Sequence, residues 1–582
     1  MPVLLLQPED NFPTPDRRTH WDAVIDLGRA PRSFYEQIIA RSGCPVHSLH
    51  DLAIEVEDLQ SWRPLLRHGM EIVVDRLGVD WWDVISTLIQ AEMQDIRLAL
   101  RLAEKLHGCG EIVTSRRSPV VDALQAQLGC SVRLSKTSKA GWMHGILRRS
   151  KAAADLGFVQ ARQVVYDTYD PHYRWRGKLS KGRGPASTKN PSILLPTAYS
   201  NVTKTALSYA RMLPEQKFLL VVARESAEPF EVPPNVETMR LAAFASQKYD
   251  HRELLELQRS WKQMENSLRE FPEFKLSIEN GVLQKGAAWL SRGLTIRDAW
   301  QKVFESHPIV GCLSGDDSNP YTRIPLLLAK RRGIPAVACH HGALDGRMAF
   351  KNPSFSAYLA KGEMESDYLK GICGVDFTRI KIGAPATSAC ENQIRWNPDA
   401  PWIVWFAEPY ECDFWRVEAI YRELLPRLII IARRSGKSLV LKLHPFESAR
   451  ARRRLVNRIL PFEERKLIKI IDAPLSNEIL QNTWCAITVE STVAFECAAS
   501  GIPTFLCGWL RHALAGYVAQ FVRFGVGKLL ESADDLLQIP ELIRAERHHR
   551  VHTKQLSQTI SAEMLSAVLC GSRCYDTSLI KN

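Results

Sequence analysis

The sequence predicts an α/β protein built from two parallel-sheet domains, with extra helices in its N-terminal half and at its C-terminus. Short runs rich in β-branched residues, bounded by polar or turn residues, are typical of buried parallel strands. These runs alternate with helical patterns, which is typical of βαβ units. A chain of 582 residues also exceeds the size of one hydrophobic core, so more than one domain is expected.

The first third of the chain has enough alternation to form a self-contained α/β layer. Its predicted strands are Val3–Leu6, Trp21–Gly28 and Glu111–Ser115. Its predicted helices are Ser33–Ser42, a helix that follows the third strand and ends at Leu128, and an amphipathic helix at Gly141–Val165, with a mostly helical stretch between Leu52 and Leu106. A basic loop at 174–190 then separates this region from a second set of strands.

The second set runs to Gly383-Ala384-Pro385, which we expect to be a hinge. Its predicted strands are Ser192–Thr197, Phe218–Ala223, Ile309–Ser314, Ala336–Cys339, Ala357–Ala360 and Arg379–Ile382. Its predicted helices are Ser200–Met212 and Tyr321–Arg331, with mainly helical sequence over Tyr249–Leu290.

After the hinge the alternation resumes, and it ends in a polar helical tail. The predicted strands are 402–407, a run from Ser438 to His444, Ile468–Asp472, Cys485–Glu490 and Thr504–Cys507, with one helix ending at Arg434 and another between Glu490 and Gly501. The predicted domains are therefore 1–384, 385–531 and a tail at 532–582.

Charge and cysteine usage limit the environment and the partners. The formal net charge is +12, which favours acidic partners such as nucleotides, phosphorylated lipids or nucleic acid without choosing among them. We interpret Arg174–Lys189 as a loop and Arg450–Arg454 as a solvated helix face, while contact of the first segment with a membrane or an acceptor is left open. Thirteen cysteines without a CxxC pair, and the absence of a long apolar run, predict a cytoplasmic protein.

Several chemistries lack their sequence signatures. The chain has neither a GxxxxGK[ST] phosphate loop nor a GxGxxG motif after a strand, so an ATPase or a dinucleotide oxidoreductase is poorly supported. The sequence has no HExxH motif, and consecutive residues on a strand such as Cys339, His340 and His341 cannot all face one ion. We therefore expect no metal and no cofactor.

Polar residues follow the predicted strands at the edge where ligands of parallel sheets bind. In the last domain they are Glu408, His444-Pro445 and Glu490-Ser491-Thr492, and in the middle of the chain they are Gly315-Asp316-Asp317 and His340 to Arg347. Ser491 and Thr492 stand where a helix begins, so backbone N–H groups and the helix dipole could hold an anion there. The alternative is that either hydroxyl merely caps the helix and that Glu496 pairs with a neighbouring helix.

These residues resemble a known family. A KLHP segment ending at Pro445, a later Ser-Thr pair, an acid on the following helix and Gly501-Ile502-Pro503 are similar to the nucleotide-binding domain of GT-B glycosyltransferases. The likeness is greatest to bacterial sialyl-, polysialyl- and capsule Kdo-transferases that use CMP-sugars, and CDP-glycerol glycerophosphotransferases share much of it. It covers Ile309–Gly508 by motif and implies two Rossmann-like domains facing a cleft.

The resemblance implies roles for individual residues. His444 would bond the nucleotide phosphate and Pro445 would fix its loop, while Ser491 and Thr492 would donate to the same phosphate. Glu496 would approach the ribose hydroxyls. The complete predicted set is His444, Pro445, Glu490, Ser491, Thr492 and Glu496 for the nucleotide, with Arg347 and Lys442 as anion contacts.

On the acceptor side the resemblance implies an acid or a histidine that takes the proton of the incoming hydroxyl. Asp345, followed by Gly346, fits the acid–glycine pattern, and His341 is the alternative base. Asp316 and Asp317 are second candidates, although Asp317 to Pro320 equally fits an Asx turn or helix cap.

The resulting hypothesis is a metal-independent glycosyltransferase that moves a sugar, CMP-linked as the first candidate, to a surface glycan or glycolipid. It would act in capsule polysaccharide or lipopolysaccharide assembly, in the cytoplasm, with peripheral contact with the inner membrane left open. The alternatives are a CDP-glycerol-type glycerophosphotransferase, an enzyme similar to UDP-N-acetylglucosamine 2-epimerase, and a non-enzymatic polyanion-binding protein. Nucleic acid is not an expected partner, because aromatic residues among the basic ones are sparse.

Overall fold

The structure, a computed structural model, describes most of the chain. The described residues are 2–8, 10, 21–49, 51–54, 64–134, 190–224, 227–229, 231–245, 250–342, 344, 352–386, 394–410, 415–444, 446–489, 491–510, 517–545 and 556–571. The predicted helix at Gly141–Val165 and the basic segment Arg174–Lys189 lie outside them.

Three parallel sheets form the framework. The first has five strands in the order β3-β2-β1-β4-β5. Its strands are β1 (Pro2–Leu6), β2 (Ala23–Asp26), β3 (Val46–Ser48), β4 (Glu111–Thr114) and β5 (Ser131–Leu134). The order reverses between β1 and β4, which is the switch point of a doubly wound sheet.

The second sheet has seven strands in the order β12-β11-β10-β9-β6-β7-β8. Its strands are β6 (Ser192–Thr197), β7 (Phe218–Val222), β8 (Val236–Arg240), β9 (Ile309–Ser314), β10 (Ala336–Ala338), β11 (Ala357–Ala360) and β12 (Ile380–Ile382). Its switch point lies between β6 and β9.

The third sheet has six strands in the order β15-β14-β13-β16-β17-β18. Its strands are β13 (Trp402–Phe406), β14 (Ser438–Lys442), β15 (Ile468–Ile471), β16 (Thr483–Thr488), β17 (Thr504–Cys507) and β18 (Lys528–Leu530). Successive residues of β13 enter different hydrophobic clusters: Ile403 and Trp405 one, Val404 and Phe406 the other. Both faces of this sheet are therefore buried, as expected where helices cover both sides.

Helices connect the strands. They are α1 (Arg32–Ser42), α2 (Trp81–Ile85), α3 (Gln90–Lys105), α4 (Pro119–Leu128), α5 (Ser200–Arg211), α6 (His251–Leu268), α7 (Pro272–Glu279), α8 (Val282–Ser306), α9 (Pro320–Arg331), α10 (Glu363–Gly371), α11 (Val417–Ser435), α12 (Ala449–Ile459), α13 (Phe462–Arg465), α14 (Asn477–Gln481), α15 (Val493–Ala499), α16 (Tyr517–Arg523), α17 (Ile539–Ala545) and α18 (Ala562–Cys570). Local chemistry sets their ends: Ser118 accepts from Val121 N before α4, and Gly436 closes α11 at φ 62°.

The chain divides into two compact units, and each unit is discontinuous in sequence. One comprises Met1–Glu57, Gln94–Tyr169 and Gln393–Val551, and holds the first and third sheets. The other comprises Asp58–Met93, Asp170–Asn392 and His552–Asn582, and holds the second sheet. The predicted domain boundaries at 384/385 and 531/532 stay a prediction. The two compact units have other boundaries, because each unit combines three separate segments of the chain.

Helix α18 packs against the second sheet of its own unit. Its residues Leu565 and Leu569 are buried in the same hydrophobic cluster as Leu313 of β9. A Cβ at Gly311 would lie 2.0 Å from the carbonyl oxygen of Leu569, so only glycine allows this approach. The last helix of the described chain is thus part of the core of the second sheet.

The predicted α/β class with parallel sheets is confirmed by these strand pairings. The first third forms its own sheet but is not the self-contained layer that was expected. Most of it shares a compact unit with the third sheet, and Asp58–Met93 belongs to the unit of the second sheet. The long helical prediction over Tyr249–Leu290 becomes three helices, α6 to α8. In the described part of the mostly helical stretch before Leu106, turns precede and separate the short α2 and the 16-residue α3.

Candidate functional site

Three predicted nucleotide-binding residues lie at one edge of the third sheet. His444 follows β14, and Ser491 and Thr492 follow β16, while β14 and β16 are the two neighbours of β13. Because all three strands are parallel, these residues are at the same, carboxyl edge, beside the switch point. Pro445 and Glu490 lie outside the described residues.

Glu408 joins the two strands at the switch point. This buried residue follows β13, and its Oε1 accepts hydrogen bonds from Thr488 Oγ1 at 2.9 Å and Val489 N at 3.2 Å. The bonds tie the end of β13 to the end of β16, directly before Ser491. Sequence reasoning noted the position of Glu408 at a strand end but assigned it no role.

The hydrogen bonds of His444 fix which ring nitrogen carries its proton. Its Nδ1 accepts from Phe446 N at 3.2 Å, so the neutral ring is protonated at Nε2, which is then a donor. Its backbone N donates to Glu447 Oε2 at 2.8 Å, and Glu447 is held by Arg452 at 2.8 Å in an ion pair with almost no exposure. Hydrogen bonds and the Glu447–Arg452 ion pair therefore hold the loop that carries the partly buried imidazole.

The turn before α15 differs from its prediction. Val493 N donates to Ser491 Oγ at 3.4 Å, and the amides of Ala494 and Phe495 donate to the carbonyls of Ser491 and Thr492, each at 3.0 Å. These three amides are already bonded, so the prediction of open backbone N–H groups does not hold for them. An anion contact through the side-chain hydroxyls of Ser491 and Thr492 stays a prediction.

Two other predicted contacts have contrasting environments. Glu496 is exposed on α15, as a contact with a ribose requires. Lys442 is buried, its Nζ donates to Leu443 O at 2.6 Å, and burial lowers the pKa of its ammonium. That geometry does not support Lys442 as an anion contact. Arg347, the other predicted anion contact, lies outside the described residues.

At the carboxyl edge of the second sheet, His341 follows β10 and is exposed. Its Nδ1 lies 3.3 Å from Gly315 O, and because a carbonyl only accepts, Nδ1 carries the proton. The lone pair is then on Nε2, which is the state that a general base needs. His340 has the opposite tautomer, since its Nδ1 accepts from Gly342 N at 3.2 Å.

Asp317 is enclosed by protein groups. Its Oδ2 accepts from Arg323 Nη1 at 3.1 Å and from Ser354 Oγ at 3.0 Å, and the side chains of the ion pair are 4% and 0% exposed. Asp316 is also buried and accepts from Asn319 Nδ2 at 2.8 Å. This geometry supports the turn-and-cap interpretation of the segment rather than proton abstraction by Asp317. Asp345 lies outside the described residues.

Sequence reasoning missed Lys361, which follows β11. Its Nζ donates to Gly342 O, next to His341, and its backbone N donates to Glu365 Oε2 at 2.6 Å. Burial raises the pKa of Glu365. The only signal in the sequence was a lysine directly after a predicted strand.

The described residues lack the signatures of a metal site and of a membrane-spanning helix. No cluster of His, Cys, Asp and Glu there is arranged to hold a metal ion. None of the described helices combines the length and the apolar composition needed to span a bilayer. Metal independence and peripheral membrane contact stay predictions.

No family model matches the sequence, and the curated proteins contain no significant match. Among solved structures, a UDP-GlcNAc 2-epimerase from Methanocaldococcus jannaschii is 12% identical, covering 65% of this chain and 98% of that chain at a TM-score of 0.41. The calicheamicin glycosyltransferase CalG4 is 12% identical over 63% and 94% of the two chains at 0.37. The wall teichoic acid polymerase TagF is 12% identical over 75% and 94% at 0.33. Such low values assign no substrate to this chain, whose fold is defined by its own three sheets.

Proposed function

We propose that this protein is a glycosyltransferase that takes a sugar from a nucleotide-activated donor, CMP-linked as the first candidate, and transfers it to a surface glycan or glycolipid. The observation that carries the proposal is the carboxyl edge of the third sheet, where His444 and Ser491-Thr492 follow the two strands that flank β13. The sequence resemblance to GT-B glycosyltransferases falls on these same residues.

The tautomer of His444 supports contact with a phosphate. A ring protonated at Nε2 donates to an anion without first taking up a proton, and the loop bonds from Phe446 and to Glu447 hold the ring in place. When the bond between sugar and phosphate breaks, negative charge grows on the phosphate. A donor already aimed at that oxygen stabilises the charge without reorganisation. The hydroxyls of Ser491 and Thr492 would add neutral donors.

The other partner of the reaction is an acceptor hydroxyl, which forms the new bond to the sugar and loses its proton. His341 is the proposed base, because donation from its Nδ1 to Gly315 O puts the lone pair of the neutral ring on Nε2. Replacing His341 by alanine should lower kcat about 10²–10⁴-fold with unchanged nucleotide affinity. A full-rate variant would remove His341 from the mechanism.

A thermal-shift panel of CMP, CDP, UDP, GDP and ADP tests the donor site, because a ligand that binds only the native state raises Tm. We expect CMP to stabilise the protein and His444→Ala to abolish the response. His107→Ala, an exposed histidine in the turn after α3, is the matched control and should respond like the native protein.

Other outcomes redirect the proposal. Stabilisation by UDP alone would exclude a CMP-linked donor, and consumption of a nucleotide-sugar without an acceptor would favour a 2-epimerase-like reaction. A response to CDP together with transfer of glycerol phosphate would favour a glycerophosphotransferase. A flat panel on folded protein would contradict a nucleotide site altogether.

A further inference from the structure

An arginine from outside the first sheet occupies the carboxyl edge of that sheet. Arg416 immediately precedes α11, and its backbone N donates to Arg29 O at 2.7 Å. Its guanidinium lies at the ends of β1 and β2. The five N–H bonds of the guanidinium have five acceptors: Asp26 Oδ2 at 2.8 Å, Asp26 Oδ1 at 2.6 Å, Gln7 O at 3.1 Å, Pro8 O at 3.2 Å and Asp10 O.

Further protein groups lie at the switch point of this edge. The side-chain amide of Gln7 spans the switch point, where Nε2 donates to Ser118 Oγ at 3.1 Å and approaches Thr114 Oγ1 at 3.5 Å. Ligands of doubly wound sheets bind at this place. In the first sheet the same place is used for a contact within the protein.

Arg416 is not a good choice for the start of a helix on local grounds. A cation at this end interacts unfavourably with the positive end of the helix dipole. Asp26 offsets that cost, and the side chains of the pair are only 9% and 1% exposed. We therefore attribute the presence of Arg416 at this position to its ion pair with Asp26 and not to stabilisation of α11.

A short path leads from Arg416 to the proposed nucleotide site. Between β13 and α11, Trp415 N donates to Tyr410 O at 3.0 Å, and Tyr410 N donates to Glu408 O at 2.8 Å. These two backbone bonds connect the residue before Arg416 with Glu408. The Glu408 carboxylate then holds Thr488 and Val489 at the end of β16. Each step of this path lies within one compact unit.

We propose that Arg416 is a positioning residue: by locking into the carboxyl edge of the first sheet, it fixes Glu408 and thereby the Ser491-Thr492 turn for the nucleotide. The first sheet is then a docking module for the nucleotide site and takes no ligand of its own at the edge that Arg416 fills. This inference rests on the proposed function, because it assumes that the Ser491-Thr492 turn binds a nucleotide.

The test compares Arg416→Ala and Arg416→Lys with Arg133→Ala in the full-length protein. Arg133 lies on the edge strand β5 and forms an ion pair with Glu111, the first residue of β4, at 2.8 Å. Within the described part of the chain it has no hydrogen bond to Arg416 or Gln7, so it is the matched control. Nucleotide Kd is measured by calorimetry well below Tm. Hydrogen exchange is measured without nucleotide on peptides covering Thr488–Phe495 and, as a reference, β6.

We expect Arg416→Ala to weaken nucleotide binding at least about tenfold and to speed exchange around Thr488–Phe495 but not in β6. Arg416→Lys, which keeps the charge but not the five-donor geometry, should fall between the native protein and Arg416→Ala. Arg133→Ala should match the native protein in both measurements.

The outcomes separate this inference from the proposed function. If the native protein binds no nucleotide but Arg416→Ala still speeds exchange only around Thr488–Phe495, the proposed function fails and the positioning role stands. If both Arg416 variants keep native Kd and native exchange, the positioning role is overturned. Should Arg416→Ala fail to fold, Arg416→Lys and Asp26→Asn decide by the same two readouts.

Discussion

The first and third sheets have the same strand order around their switch points, yet their carboxyl edges are opposite in character. In each, the first strand is flanked on one side by the second and third strands in chain order, and on the other by the fourth and fifth. At the first sheet, each of the five N–H bonds of the Arg416 guanidinium has an acceptor, and the buried Gln7 donates to Ser118. At the third sheet, His444, Ser491 and Thr492 are partly buried and Glu496 is exposed.

The difference shows that topology supplies a place for a ligand and that the residues at the strand ends decide whether one can bind. Buried charges are stable only with partners, so the Arg416–Asp26 pair commits its edge to one structure. Partly exposed hydroxyl and imidazole groups can exchange water for a ligand at little cost. Substitutions at the first edge should therefore lower stability and affect binding only through the path to Glu408, whereas those at the third edge should change binding with little effect on stability.

The largest effect is expected at the filled edge. Asp26→Ala leaves the buried guanidinium of Arg416 without its carboxylate, though three backbone carbonyls still accept from it. We expect the free energy of unfolding to fall by about 3 kcal/mol, the low end for a broken buried pair. Urea unfolding of both proteins measures this. A loss within error would mean that the pair contributes little and that the edge is less committed than its geometry indicates.

At the carboxyl edge of the third sheet we expect the opposite: a substitution should change ligand binding and leave the free energy of unfolding nearly the same. His444→Ala removes the acceptor for the exposed Phe446 amide and the ring contact with Phe446 at 5.0 Å between centroids, so the free energy of unfolding without ligand should change by less than about 1 kcal/mol. At a nucleotide concentration of 100 times Kd, the native protein should gain about 2.7 kcal/mol of stability that the variant lacks. Paired melts with and without CMP check both values. A large loss of stability without ligand would make His444 a structural residue.

The second sheet contains both situations side by side. Asp317→Asn should cost about 2 kcal/mol, because its Oδ2 bonds a charged and fully buried Arg323 that also pairs with Asp83. His341→Ala, at an exposed position, should change stability by less than about 0.5 kcal/mol. Denaturant melts of the two variants decide. Equal losses would remove the distinction between enclosed and open groups at this edge.

The smallest effect concerns pH at the contact between α1 and α11. Glu423 accepts from Ser33 Oγ and Trp509 Nε1, each at 3.3 Å, and burial raises the pKa of its carboxyl. The native protein therefore binds more protons than the unfolded chain between the unfolded pKa, about 4.3, and the raised one. This group makes stability fall as pH rises through that window.

Replacing Glu423 by glutamine removes that titration. The stability of the variant should fall less steeply than that of the native protein as pH rises from about 4 through the window. Urea midpoints at a series of pH values give the two slopes. Parallel slopes would show that Glu423 does not titrate differently in the folded protein.

The strands that sequence could predict were those with a continuous apolar run. β6, β9, β11 and β17 have the predicted bounds because turn residues mark both ends of each run. The four that were missed, β3, β5, β8 and β18, are all edge strands. An edge strand such as β8 has exposed positions, including Glu237 and Arg240, so its sequence lacks the buried pattern.

The candidate site was predictable to the same extent. His444 and Ser491-Thr492 stand out because they follow recognisable strands. The bonds of Glu408 and the pairing of Arg416 with Asp26 were not predictable, since the latter joins residues 390 positions apart. No local period records such a contact, and only the folded chain brings the two groups together.

The packing of α18 against β9 has a consequence for synthesis of the protein. Leu565 and Leu569 complete the hydrophobic cluster that contains β6, β7 and β9, and Gly311 accepts the helix backbone at close range. While the chain is still on the ribosome and Cys570 has not emerged, that face of the sheet is uncovered and open to chaperones or aggregation. Packing of this unit is thus complete only after the helix at Ala562–Cys570 has been translated.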